Sequence, residues 1–230
     1  MSKISCLDRF YNLLDELEKK IGGRRRLGNC DGRMAWPKRG VYFFFEPGEM
    51  RTVKPSSSRV VRVGANAVRK TETASPLWER IKKHRGVKTR RGGDHRSSVF
   101  RCLVGEAIGR HTKTLPESWE KKLPIPQEMR ELEYPHEIRV SEYLADMTLL
   151  FVCVPGPSGP NNIRKIIESN AIALLSGYRK SSPDKPSSGW LGRHSKQEEV
   201  KCSGLWNNEH VDEKYDPAFL NSFEKFIKAM

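Results

Sequence analysis

The chain has little of what would tie it to a membrane, a disulfide scaffold or a repeat array. Its longest apolar run, 149-LLFVCV-154, is too short to span a bilayer and suits a buried strand. The first residues, MSKISCLDRF, lack the apolar stretch of a secretory signal. Cysteines number only five (Cys6, Cys30, Cys102, Cys153 and Cys202), an odd count, scattered and never paired as CxxC. That pattern excludes a zinc ribbon and favours reduced thiols over a disulfide framework. No internal repeat is visible. These absences lead to the expectation of a soluble cytoplasmic protein with no membrane partner.

Acidic residues are scarcest in one place. Between Arg51 and Arg101, fifteen Lys and Arg face three acids (Glu72, Glu79 and Asp94), so +12 of the chain's net +14 falls in that segment. A basic excess so concentrated fits a polyanion, because each neutralised phosphate releases condensed counterions. A solvated basic face that aids solubility would carry the same charges. A hydrophobic content of 37% and 9% aromatics supply a core and argue against wholesale disorder.

Apolar periodicity predicts helices over 5–21, 76–85, 99–108, 137–147 and from Asn161 to about Leu175. Ser5, Ser75 and Asn161 are the candidate caps. A last helix follows Asp216-Pro217, with Phe219, Leu220, Phe223, Phe226 and Ile227 on its face. Strands are expected at 40–46, 60–64 and 148–154, the first two as a hairpin. The Pro-punctuated, charged stretch 111–136 reads as a surface excursion, and 87–98 as a basic loop. The fold class expected is α/β (α+β): a small mixed or antiparallel sheet of about three strands flanked by helices, with helical additions at both ends.

Several residues invite chemistry, each with a plainer alternative. Tyr42 in 40-GVYFFFEPGE-49 is either a strand aromatic or a used hydroxyl. Gly64 ends the second strand in 62-RVG-64. Arg80 and His84, four apart, point the same way on a helix and could clamp a phosphate, or be a solvated basic face. Glu168 stands among Ile166, Ile167, Ala171 and Ile172, where a carboxylate must be exposed, paired or metal-bound. One carboxylate can suffice for Mg²⁺, since water and substrate phosphate fill its other positions.

Taken in order, Gly-Val-Tyr on a first strand, a Val-Gly strand end, a helix with Arg80 and a late helical Glu168 resemble the GIY-YIG nuclease superfamily. The closest style is its restriction-endonuclease branch, in which a histidine follows the helical arginine. The resemblance covers roughly residues 36–176 and implies three parts: an N-terminal helix and basic loop (1–35), a nuclease core (36–176) and a C-terminal extension packed on it (177–230).

Carried over residue by residue, the resemblance makes Tyr42 the water-orienting or deprotonating group, Arg80 and His84 the charge-stabilising pair, and Glu168 the ligand of Mg²⁺ or Mn²⁺. Arg62, a candidate catalytic residue, stands where the second motif has a tyrosine, whose role is unfilled or passes to this cation; the connection 43–61 is longer than usual, and Asn170 is too close to Glu168 to match the family's late asparagine. The implied activity is metal-dependent hydrolysis of double-stranded DNA, with a homodimer if both strands of a palindrome are cut. The alternative is a DNA-binding module without turnover. Arg90, Arg91, His95 and Arg96 in the basic loop are the candidate DNA contacts. Trp190 and Trp206 are expected to pack the tail onto the core.

Overall fold

A computed structural model describes residues 2–66, 76–87, 92–121, 124–159, 162–179 and 182–230. Ser75, Arg90, Arg91 and Asn161, singled out above, lie outside the described residues. Four strands pair antiparallel in the order β1 (Arg25–Arg26), β4 (Thr148–Cys153), β2 (Gly40–Met50) and β3 (Ser58–Ala65). The expected three strands are therefore present, and the two-residue β1 adds a fourth too short to leave a pattern in the sequence.

Alternation along β2 divides the core in two. Val41, Phe43 and Phe45 enter one cluster, while Tyr42 and Phe44 enter the other. The first cluster is closed by α1 (Lys3–Lys20), α5 (Ile163–Leu175) and α7 (Phe219–Lys228), with Phe10 edge-on to Phe43 and stacked on Phe223. The second is closed by α2 (Leu77–Arg85), α3 (Val99–Thr112) and α4 (Gln127–Ala145). The result is helix, sheet, helix in three layers. Both terminal helices share one core with α5 and the sheet.

Local signals were mostly placed within a residue or two. Ser2, not Ser5, caps α1 by accepting the Ser5 N–H, and Asn162 caps α5 by accepting the Lys165 N–H. The larger departure is α4, which runs through part of the expected surface excursion and holds Pro135 in its interior. Proline there removes one helical hydrogen bond. The helix is anchored instead by buried Glu133, His136 and Glu137, whose partners lie far away in sequence. Gly105 sits inside α3 because a Cβ there would overlap Trp119 and Val140.

The C-terminal segment finishes the sheet. Trp206 N–H donates to the Val61 carbonyl at 2.7 Å, and the Asn207 amide pairs with both backbone groups of Val63 at 3.1 and 2.9 Å. Residues 206–207 thus cover the outer edge of β3, which would otherwise offer unpaired backbone. Trp190 and Trp206 are buried, as expected, and both indole N–H groups donate to Glu46 Oε2. No helix among the described residues is long and apolar enough to cross a membrane.

Candidate active site

The β2–β3 register builds the site. Tyr42 lies opposite Gly64, and a Cβ on Gly64 would overlap the tyrosine ring and hydroxyl. Glycine is needed here to let that ring cross the strand. Farther along, Phe44 pairs with Arg62 but Phe45 with Val60, so Val61 is the extra residue of a bulge. Beyond the bulge, Arg62 and Gly64 share the face of Tyr42 and Phe44.

Arg62 is buried, its guanidinium 4.7 Å from the Phe100 ring centroid and donating to the Trp206 carbonyl. Its Nε has no hydrogen-bond partner, and no carboxylate lies within ion-pair distance of it among the described residues. Burial pushes its pKa down; Tyr42 and Glu168 oppose that shift, and Arg80 adds to it. A buried cation with so little counter-charge is costly unless an anion arrives or forms beside it.

From α2, His84 reaches the same point. It is fully buried, with Nε2 2.7 Å from the Tyr42 hydroxyl and Nδ1 2.8 Å from Ser98 Oγ. Burial first, then Arg80, Arg62, Arg101 and Lys83, hold its pKa well below the usual histidine range, so the imidazole is neutral at pH 7. Arg80, one turn earlier, is half-buried beside this pair.

Glu168 comes from α5, on the opposite layer, which packs against β3 and so reaches the site around the sheet edge. The carboxylate is half-buried, with the Ala65 N–H at the end of β3 facing it. Burial pushes its pKa up, and Arg62, His210, the Ala65 N–H and Arg80 pull it back. A single carboxylate in a setting that penalises its charge fits a hard divalent cation that keeps most of its waters. Elsewhere, Asp94, His95 and Glu137 bring ligand atoms within 4.8 Å of one another. That group does not fit a metal: His95 Nδ1 and Glu137 bond each other, and Arg101 takes the remaining carboxylate oxygen.

The arrangement thus joins the strand tyrosine, the helix arginine and histidine, and the late glutamate in one charge-coupled group. A model of the GIY-YIG domain matches residues 1–230. The chain belongs to the GIY-YIG family. Searches of curated proteins and of solved structures each return no match. The family match extends beyond the core expected at 36–176 and includes both terminal segments.

In this GIY-YIG chain His95 and Arg96, the described candidates of the basic loop, are held by the protein itself. His95 is buried, with Nδ1 2.8 Å from Glu137 and Nε2 2.8 Å from the Trp119 carbonyl, its ring stacked on Trp119. Arg96 forks onto Glu133 at 2.6 and 2.7 Å and also donates to the Ser118 and Lys121 carbonyls. Their donors hold the 95–98 turn against α4, which leaves little of either for base edges. Asn170 is likewise engaged, accepting the Asp216 N–H and donating to Ile166.

Three residues beside the site escaped the sequence reading. Ser98 closes the stretch read as a basic loop. Asn207 and His210 lie in a segment without periodicity. His210 carries one signal visible only in structure, a left-handed backbone (φ 64°) at a non-glycine residue, with Nδ1 2.7 Å from Glu213.

Proposed function

We propose that this chain is a metal-dependent DNA endonuclease that hydrolyses phosphodiester bonds of double-stranded DNA, in the style of a type II restriction enzyme. The observation that carries this reading is the Tyr42 hydroxyl, 2.7 Å from His84 Nε2 on the face shared with buried Arg62. On this reading the Tyr42 oxygen takes a proton from the attacking water, with Arg62 on the same sheet face to offset the charge. Arg80 then neutralises charge that develops on the phosphorus centre. Glu168 is the residue to hold Mg²⁺ or Mn²⁺, which when bound supplies Lewis acidity to the phosphate oxygens. Exposed Lys82 and Lys83 on α2 are the cations beside the site that would draw a duplex toward it.

Tyr42 and His84 have no exposed surface. Catalysis therefore requires the site to open when DNA binds, as many enzyme sites do. The same burial favours the second reading, a DNA-binding module that keeps the constellation as core packing. The test is nicking of supercoiled plasmid by the purified chain with Mg²⁺ or Mn²⁺ against EDTA, beside Glu168→Ala. Cleavage that needs metal and is lost in Glu168→Ala is expected. Salt-sensitive binding without cleavage under any metal would establish the binding module instead.

A further inference from the structure

We propose that Ser98 is a positioning residue that fixes His84 as the Nε2–H tautomer, so that the imidazole donates to the Tyr42 oxygen and does not accept its proton. The inference rests on the nuclease reading for its purpose, but its geometry stands alone. Ser98 is 1% exposed. As cap of α3 its Oγ accepts the Arg101 N–H at 3.3 Å. A serine hydroxyl has one proton to give, and a buried donor needs an acceptor. Among the described residues the acceptor within reach is His84 Nδ1, at 2.8 Å. If Nδ1 carried the proton instead, the Ser98 hydroxyl proton would be stranded in a closed interior.

With Nδ1 accepting from Ser98, the neutral ring bears its proton on Nε2, 2.7 Å from Tyr42 Oη. The tyrosine oxygen then accepts from His84 Nε2–H on the sheet face it shares with Arg62, and its own proton is left for the side that opens to DNA. His84 cannot serve as the base for Tyr42, because the nitrogen that faces it is already protonated. In the step this implies, Tyr42, its proton lost to solvent as the site opens, takes a proton from the attacking water and re-forms its O–H. The resulting hydroxide attacks phosphorus as the bond to the leaving oxygen breaks, and that oxygen takes a proton from solvent.

The experiment is ¹⁵N NMR of the full chain labelled at histidine, with the His84 pair among six histidines assigned by its loss in His84→Gln. Nitrogen shifts report directly which ring nitrogen is protonated. Wild type and Ser98→Thr, which keeps hydroxyl and cap, are expected to show protonated Nε2 and bare Nδ1. Ser98→Ala is expected to lose that preference, with kcat for plasmid cleavage falling ~10-fold or more at unchanged KM and restored in Ser98→Thr. Protonated Nδ1 in wild type overturns the proposal, as does an unchanged tautomer in Ser98→Ala. The spectra decide this even if no cleavage is found, which would count against the nuclease reading alone.

Discussion

Gly64 and Tyr42 form a unit in which one residue exists for the other. Gly64→Ala must push the Tyr42 ring aside, since the added methyl would overlap it. Overpacking of this kind costs roughly 1–3 kcal/mol, and the hydroxyl would leave His84. The expected outcome is a lowered unfolding midpoint in urea together with lost cleavage, both measurable on the same preparation. His84 gives a pH prediction. Its folded-state pKa is held below the unfolded value of 6.5. The unfolded chain thus takes up a proton that the folded chain refuses. Stability from this source is complete above pH 6.5 and declines as pH falls through it. His136, held down by burial, has the same sign, whereas Glu46 and Glu168, raised by burial, favour the folded state only while protonated. Denaturation midpoints of His84→Gln should decline less steeply than wild type between pH ~7 and ~5. The candidate residues Tyr42, Arg80, His84 and Glu168 could be picked from the sequence because they keep a motif order; their roles are proposed. Ser98 could not, since a capping serine and a tautomer-setting serine look alike until a histidine is placed beside one.

At the scale of elements, α4 shows where sequence patterns stop. Its proline and charges argue against a buried helix, yet three of those charged or polar residues are its anchors. Glu137 receives the His95 backbone N–H at 2.6 Å, meets His95 Nδ1 and pairs with Arg101, which is fully buried. Its pKa is set by burial, which raises it, against His95 and Arg101, which win and lower it. Removing this carboxylate leaves Arg101 without its counter-charge inside the protein, a loss of about 3–5 kcal/mol. Chemical denaturation of Glu137→Ala should show a drop of that size, and a change near zero would mean that the network is ornamental. Strands fared better than this helix, because period-two alternation in β2 survives whatever packs on either face. The bulge at Val61, which turns Arg62 toward Tyr42, left no trace in the sequence.

Over the whole molecule, the chain's ends complete what its middle begins. Residues 206–207 close the β3 edge, Trp206 holds Arg62, and Phe219 and Phe223 pack on Phe10. Truncation after residue 176 should therefore give a chain without a cooperative thermal transition, observed by circular dichroism. The packing of the tail was legible from its tryptophans, but its role as a sheet edge was not, because side-chain pairing by Asn207 follows no strand pattern. The charge makes a prediction of its own. Lys82 and Lys83 are exposed on α2 beside the site. Replacing both with Gln should weaken duplex binding for all sequences alike and reduce the slope of log K against log salt by about 2.

The most direct test of the central claim compares wild type with Tyr42→Phe in metal-dependent plasmid nicking, at protein concentrations that give equal DNA binding. The phenyl ring keeps the packing against Phe44 and removes only the hydroxyl that His84 meets. The account predicts cleavage by wild type and a loss of at least ~100-fold in the variant, the scale of a lost general base. Equal cleavage by the two would contradict it, and would return Tyr42 to the packing of a strand.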